Sequence, residues 1–181
     1  YALNIKESFT GRRLEQACMV PGVATAFPVH LEYAMSLWKD TGVPERQRSI
    51  SHPIRVIAFD PDQAVLNNPA VNAHRGQLKI PFTILLDKKS KHEYGDIQGG
   101  IDRELAQHRV HVADTFTLGT DFTSDGSVVM SDLTYAQLFP NELSPEATLR
   151  LADLGVVQLE PGSDVAALRR AHHPVAEATR T

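Results

Sequence analysis

The sequence predicts an α+β fold in which the two ends of the chain form one mixed lobe around an inserted, strand-rich lobe. The N-terminal part follows the order βαββ, the C-terminal part follows βα, and strand patterns dominate the middle. Because terminal segments of this kind can share one sheet, we assign residues 1–62 and 154–175 to the mixed lobe. Residues 63–153 form the strand-rich lobe, and 176–181 form a tail.

Composition excludes several classes of protein. The 181 residues are 42% hydrophobic and 22% charged, as in ordinary folded domains. The net charge of −4 argues against a nucleic-acid-binding protein. Cys18, the one cysteine, rules out an internal disulfide and a cysteine-based zinc site. The longest apolar run, Ile80 to Leu86, is far shorter than a membrane span, and because the chain begins with Tyr1 we expect an excised domain.

The first elements follow from hydrophobic spacing. Leu14, Ala17 and Cys18 share one face of a helix that Pro21-Gly22 ends, and this predicts a buried Cys18. Clean alternation from Val29 to Leu37 predicts a strand buried on one face and solvated on the other.

A polar hairpin loop is expected from Lys39 to Arg48, followed by a strand from Ile54 to Phe59. Pro53 places the start of that strand at a sheet edge. Turns are expected from Asn67 to Gly76 and a buried strand from Ile80 to Leu86. Residues 87–100 are polar and rich in glycine, which predicts an exposed loop whose lysines are solvated.

The segment from Arg109 to Phe139 has the clearest pattern. Four apolar residues fall at even positions, which places them on one face of a strand: Val110, Val112, Phe116 and Leu118. Asp125-Gly126 then predicts a turn, and Ser127 to Met130 a short returning strand. Ser131 is placed to cap the helix that follows.

The C-terminal elements complete the mixed lobe. Pro145 predicts a helical turn, Gly155 to Glu160 a strand, and Asp164 to Ala171 a helix with Val165 and Leu168 on its buried face.

An acidic loop offers the strongest candidate for metal chemistry. Oxygen-bearing residues and one glycine fall at positions 1, 3, 5, 6, 7 and 12 of a calcium loop, with Asp121, Asp125 and Asp132 as the candidate carboxylates. Position 12 carries Asp in place of the usual Glu, and a strand precedes the loop where a helix is required. A turn in which Asp side chains bond their own backbone explains the pattern better. We therefore predict no metal and no cofactor.

No motif for catalysis is present in the sequence. The eight histidines contain no His-x3-His pair, and the chain has no nucleophile elbow, phosphate-binding loop or dinucleotide fingerprint. The sequence therefore predicts a protein that is not an enzyme.

Several short motifs occur together in the order found in one transporter family. They are Val20 to Val23, Trp38-Lys39, Ile54 to Pro61, Phe116 to Phe122 with Asp125-Gly126 and Ser131-Asp132, and Leu159 to Gly162. From about Phe9 to Ala171 the chain resembles the extracytoplasmic domain of DevC-type permeases, which belong to the MacB-like ABC exporters.

This resemblance implies an accessory domain of a membrane protein in the periplasm. Such permeases are homodimers, and the domain sits between the first two of four membrane helices. A separate cytoplasmic subunit hydrolyses ATP, and the domain engages a periplasmic adaptor that leads to a TolC-like channel in a tripartite efflux assembly. DevC-type systems are associated with glycolipid export in cyanobacteria. The expected localisation is the periplasmic side of the inner membrane.

We expect exposed loops at the membrane-distal end to contact the adaptor, because loops on a rigid sheet commonly carry recognition. The two candidates are the loop of residues 119–126 and the hairpin loop from Lys39 to Arg48. The predicted contact residues are Trp38, Gly119, Asp121 and Phe122. The alternative is a free-standing soluble ligand-binding protein or hydrolase, which a pocket would favour. A calcium module is a third hypothesis, and a calcium-dependent melting temperature would identify it.

Overall fold

The fold was examined in a computed structural model that describes residues 8–42, 51–118, 125–140 and 144–165. The strands in these residues are β1 (Phe9–Thr10), β2 (Val23–Glu32), β3 (Leu37–Lys39), β4 (His52–Pro53), β5 (Arg55–Phe59), β6 (Thr83–Asp87), β7 (Ile101–Leu105), β8 (His108–Phe116), β9 (Ser127–Ser131), β10 (Leu151–Ala152) and β11 (Leu154–Leu159).

The helices are short, and three of them begin with the side-chain caps expected from their sequence. They are α1 (Arg12–Cys18), α2 (Pro69–Ala73), α3 (Arg75–Leu78), α4 (Asp132–Leu138) and α5 (Pro145–Leu149), with a 3-10 turn at His92–Tyr94. Asn68, Ser131 and Ser144 accept hydrogen bonds from backbone N–H groups at the starts of α2, α4 and α5. Among the described residues, no helix is long and apolar enough to cross a membrane.

Nine strands form one mixed sheet in the order β11-β2-β5-β9-β6-β8-β7-β3-β4. The pairs β5–β9 and β6–β8 are parallel, and the other pairs are antiparallel. Helices and a mixed sheet in one chain confirm the predicted α+β class.

The sheet from β5 to β4 curls until its last strand meets its first. Only Ile54 separates β4 from β5 in the chain, although the two lie far apart in the strand order. The Ile54 N–H donates to the Ser36 carbonyl at 3.0 Å, and the Ser36 hydroxyl donates to the Ile54 carbonyl. We call this curled part, from β3 to β9 together with α4, the barrel region.

Each face of the sheet carries its own apolar core. The inner core contains Trp38, Val56, Leu86, Val128 and Tyr135 with their neighbours. The outer core lies under α2 and α3, where Val71 and Leu78 pack on residues of β5, β6 and β9. Every residue of β5, β6 and β9 is buried, because both faces of these strands are covered.

Strand β2 changes partner part-way along its length. From Val23 to Val29 it pairs with β11, and from His30 onwards it pairs with β5. We call α1, β1, β10, β11 and the part of β2 up to Val29 the terminal region. The predicted lobe boundary at residue 62 falls after β5, which pairs with β2 on one side and with β9 on the other.

The strand predicted from Val29 to Leu37 is wrong in its limits and in its exposure. It begins at Val23 and ends at Glu32, where the Glu32 carboxylate accepts hydrogen bonds from the N–H groups of Tyr33 and Met35 and so bends the chain. The predicted solvated face is buried at His30 and Glu32 because α4 packs over it. His30 stacks on Tyr135 of α4, with ring centroids 5.2 Å apart.

The segment predicted as turns, Asn67 to Gly76, instead forms α2 and the first half of α3. Asn68 followed by Pro69 is a strong helix start, since the asparagine caps and proline fits the first helical position. Residues 101–105 form β7, which the sequence analysis did not assign. Its hairpin with β8 turns at Ala106-Gln107, a pair that lacks the usual Asn-Gly signal.

Strand β8 is confirmed, but its apolar residues do not share one face. The register with β6 shifts between Ile84 and Leu85, so that Val110 and Val112 point into the inner core while Phe116 joins the outer core. A bulge that inserts one residue has this effect, since side chains alternate along a strand. The short returning strand predicted from Ser127 to Met130 is confirmed as β9, which runs opposite to β8, and β6 lies between the two strands.

At the chain ends, the predicted elements agree with the structure wherever it describes them. Helices α1 and α5 and strand β11 occur at the expected places, and Pro53 lies in the edge strand β4. Cys18 is exposed, which contradicts the buried position predicted for it, because no element covers that side of α1 among the described residues. The helix predicted to start at Asp164 falls almost wholly outside the described residues.

Candidate partner-binding end of the sheet

The two loops predicted to contact a partner leave the same end of the sheet. Strands β3, β6 and β8 end there, and β5 and β9 begin there, as their pairing directions require. We define this loop end by residues Asp40–Gly42, Asp87–Asp96 and Asp125-Gly126. Of the predicted contact residues, Gly119, Asp121 and Phe122 lie outside the described residues.

Tyr94 ties the parts of the loop end together. Its carbonyl accepts a hydrogen bond from the Trp38 indole N–H at 2.9 Å, and its hydroxyl donates to the Pro53 carbonyl at 2.7 Å. Its ring lies so close to Gly126 that a Cβ there would be 2.9 Å from the Tyr94 Cε2 atom. Burial, with a smaller contribution from Glu93 and Asp125, raises the pKa of Tyr94, so the hydroxyl stays protonated and keeps donating.

Trp38 does not occupy the surface position that its predicted role in partner contact requires. Its side chain has 0% exposure and packs in the inner core. The bond from its indole to Tyr94 gives it a structural role, since a buried indole N–H needs an acceptor. Trp38 therefore supports the loop end from below and does not present a surface to a partner.

One shielded ion pair and one exposed ion pair stabilise the loop end. Arg103 and Asp40 are both largely shielded and lie 3.1 Å apart between Nε and Oδ1, which fixes the base of the loop after β3. Lys91 and Asp125 form an exposed pair at 2.7 Å, and the hydrogen bond that the Lys91 ammonium donates to this carboxylate raises the pKa of Lys91. The Lys91 backbone N–H also donates to the Asp125 carbonyl at 2.9 Å. The 91–94 turn and the start of β9 are therefore held together at the surface.

The two described candidate metal ligands cannot bind one ion together. Asp125 precedes β9 and Asp132 follows it, so the five-residue strand separates them by about 17 Å. Asp132 begins α4, where its Oδ1 accepts the Leu133 N–H, and burial raises its pKa. Among the described residues, no group of three histidine, cysteine or carboxylate side chains is arranged to hold a metal. Asp121 lies outside the described residues.

Two surface histidines lie against carboxylates. His111 Nδ1 lies 2.9 Å from one oxygen of Asp102, and Arg109 binds the other oxygen. These two partners lower the pKa of Asp102, with the His111 hydrogen bond as the larger cause. His74 pairs with Asp114 at 3.0 Å.

Tyr94 is the residue that sequence reasoning missed. It sits in the polar segment predicted as an exposed loop, and its contacts with Trp38, Pro53 and Gly126 span long sequence distances. The only available signal was a single aromatic residue followed by glycine within that polar run.

A cavity of about 690 Å³ lies away from the loop end, beside α4. It is bounded by His30 and Glu32 of β2, by Tyr135 and Leu138 of α4, and by Asp153 of the terminal region. This is the kind of feature that the alternative hypothesis, a ligand-binding protein, predicts.

Comparison with known proteins identifies the fold. No protein-family model matches the chain, and no curated protein does. Among solved structures, the chain is similar to the extracellular domain of the noncanonical ABC-type transporter YknZ from Gram-positive bacteria, with 13% identity and a TM-score of 0.54. That match covers 90% of this chain and 78% of the other.

The chain is also similar to the periplasmic region of MacB from Actinobacillus actinomycetemcomitans, with 8% identity and a TM-score of 0.55. This match covers 92% of the chain and 72% of the other. At such low identity the likeness concerns the fold alone. The chain therefore has the fold of the extracytoplasmic domains of MacB and YknZ.

Proposed function

We propose that this chain is the extracytoplasmic domain of an ABC exporter permease of the MacB-like type. The observation that carries the proposal is the shared fold, which extends over nine-tenths of the chain in two such transporter domains. The sequence motifs that resemble DevC-type permeases support it independently, because they are a property of the sequence and not of the fold. In this role the domain itself catalyses no reaction, and ATP hydrolysis takes place on a separate cytoplasmic subunit.

The loop end is the surface that we propose for the adaptor. Irregular segments are attached there to strands such as β6 and β9, which are buried on both faces. Residues that recognise a partner are therefore held on a rigid base. Its exposed pair, Lys91 and Asp125, supplies the polar rim that transient protein interfaces usually have. The proposed partners are a periplasmic adaptor, a TolC-like channel reached through it, and a second permease subunit. Glycolipid is the proposed cargo on the DevC resemblance alone.

Fractionation of native cells tests the membrane assignment. An antibody raised against this domain should detect a band well above 20.0 kDa in the integral-membrane fraction, because the domain is then one part of a permease. A band near 20.0 kDa in the soluble fraction would overturn the proposal. That result would favour the second candidate, a free-standing ligand-binding protein, for which the cavity beside α4 is the supporting observation.

Variants in the segment between β8 and β9 test the adaptor contact. The change Asp121→Ala with Phe122→Ala should weaken adaptor binding by the full-length permease and leave the melting temperature nearly unchanged. A matched double alanine change at Gln158 and Glu160, which are exposed on and after β11, should leave binding intact. A large fall in melting temperature for the loop variant would show that the loop is structural and would contradict the assignment.

A further inference from the structure

The cavity beside α4 joins the two regions of the molecule. One wall comes from the barrel region, with Tyr135 and Leu138 of α4 and Ala106-Gln107 of the β7–β8 turn. The opposite wall comes from the terminal region, with Ser8, Leu151 and Asp153 near the chain ends. A volume of about 690 Å³ is within the range of pockets that hold small organic ligands.

The rim of the cavity is apolar and accessible. Met35 is 70% exposed and Leu37 is 43% exposed, and both line the cavity where the chain bends after β2. Phe139 and Pro140 continue this surface at the end of α4. Large apolar side chains exposed together around a concavity favour an apolar ligand body.

The polar wall carries two carboxylates. The described residues that line the cavity include Glu32, Asp153 and the imidazole of His30, and no lysine or arginine. Asp153 is hydrogen-bonded by neutral donors, the Ser8 hydroxyl on Oδ1 and the Leu31 N–H at 2.7 Å on Oδ2. Those bonds orient the carboxylate. Carboxylate oxygens have lone pairs for further donors.

From this apolar rim and the carboxylates of the polar wall we propose that the cavity binds a small amphipathic cation. Its apolar body lies against Met35, Leu37 and Leu138, and its protonated amine contacts Asp153. The proposal goes beyond the transporter assignment, because it concerns a ligand site that could serve a free-standing protein equally well.

The wall at Ala106-Gln107 is the tight turn of the β7–β8 hairpin. Both residues have positive φ angles, 49° and 66°, and neither is glycine or asparagine. Two-residue hairpin turns require positive φ angles, so the hairpin itself fixes the backbone at this part of the wall. The turn also contacts the rim directly, since the Ala106 N–H donates to the Leu37 carbonyl at 2.9 Å.

A series of ligands matched in length separates charge from apolarity. Octylamine, octanol and octanoate are titrated into the 181-residue chain, and binding is followed by the fluorescence of Trp38, the single tryptophan, which neighbours the rim residue Leu37. Melting temperature provides a second readout. Octylamine should bind about fivefold more tightly than octanol, and octanoate more weakly than both.

The change Asp153→Asn keeps both hydrogen bonds and removes the charge, because the amide oxygen can accept from Leu31 N–H and the amide nitrogen can donate to the Ser8 hydroxyl. It should abolish the preference for octylamine over octanol. Asp62→Asn, on an exposed residue paired with Lys79, is the matched control and should preserve that preference.

Equal binding of the three ligands by the unmodified chain, or binding of none, would overturn the proposal without any variant. Persistence of the preference in Asp153→Asn would overturn the assignment of the amine to Asp153. Both results are independent of the cell fraction in which the protein is found. The cavity proposal and the transporter proposal can therefore fail separately.

Discussion

The barrel region and the terminal region use the same sheet in different ways. In the barrel region, β5, β6 and β9 are buried at every residue, with one apolar core on each face. In the terminal region, neither α1 nor β11 contains a buried residue, and Val157 of β11 is 42% exposed. Continuity of a sheet therefore does not make its stability uniform. The described contacts concentrate apolar burial, and with it stability, in the barrel region.

The largest expected difference in the free energy of unfolding is between alanine variants of one leucine from each region. Leu86→Ala in β6 should lower the free energy of unfolding by about 3 kcal/mol, because it leaves a cavity at a side chain with no exposure. Leu14→Ala in α1 should cost about 1 kcal/mol, since Leu14 is only partly buried against Gly155. Urea denaturation measures both. Equal losses would contradict the difference drawn between the regions.

Alanine variants of two glycines test the close packing around Tyr94 in the loop end. Gly126→Ala should destabilise the chain by about 2 kcal/mol, because the new Cβ would press on the Tyr94 ring and the Ser90 hydroxyl. Gly76→Ala in α3 should stabilise it by about 0.7 kcal/mol, since nothing lies within 4 Å of its Cβ position and alanine favours a helix. Thermal unfolding of both variants checks the signs, and a neutral Gly126→Ala would remove Tyr94 from its central role.

The β7–β8 turn allows a stabilising change. Gln107→Gly should raise the free energy of unfolding by about 0.7 kcal/mol, because glycine adopts the positive φ of 66° without strain. Gln77→Gly, in α3, is the matched control and should lower the free energy of unfolding by about 1 kcal/mol. Loss of stability in Gln107→Gly would show that the Gln107 side chain contributes more than its backbone costs.

The smallest effect concerns the surface ion pairs of β7 and β8. The hydrogen bonds from His111 and Arg109 lower the folded-state pKa of Asp102, so this carboxylate contributes stability above its unfolded pKa. That contribution disappears as the pH falls through the folded pKa. Asp102→Asn should cost roughly a few tenths of a kcal/mol at pH 7, and this cost should shrink as the pH falls through the folded pKa. Asp96→Asn serves as the exposed control, and urea midpoints measured over a series of falling pH values provide the comparison.

Local signals in the sequence predicted local structure well. Ser131 before an apolar run predicted the capped start of α4, and the apolar run near Ile84 predicted a buried strand. The Ala106-Gln107 turn was not predictable in this way, because its residues do not favour the backbone angles that they adopt. The mutual arrangement of the strands was also beyond local signals: β6 separates β8 from β9, and a bulge in β8 divides its apolar residues between two cores.

The candidate site likewise has features that the sequence predicted and features that it could not predict. The sequence indicated which segments form loops, and the structure shows that the described parts of two of them meet at one end of the sheet. The sequence could not indicate that Trp38 is buried or that Tyr94 connects the segments, because both facts depend on contacts between residues more than forty positions apart. In the sequence, an aromatic residue beside a polar loop looks the same whether its side chain faces a partner or the core.

Site-specific crosslinking in the full-length protein tests the central claim, that the loop end is the adaptor-binding surface. A photoreactive residue is placed at Lys91 in the loop end and, as a control, at Gln158 in the terminal region; both positions are exposed. Our account predicts a crosslinked adduct at position 91 that mass spectrometry identifies as a periplasmic adaptor of the membrane fusion class, and none at position 158. An adaptor adduct at position 158 alone would contradict the account.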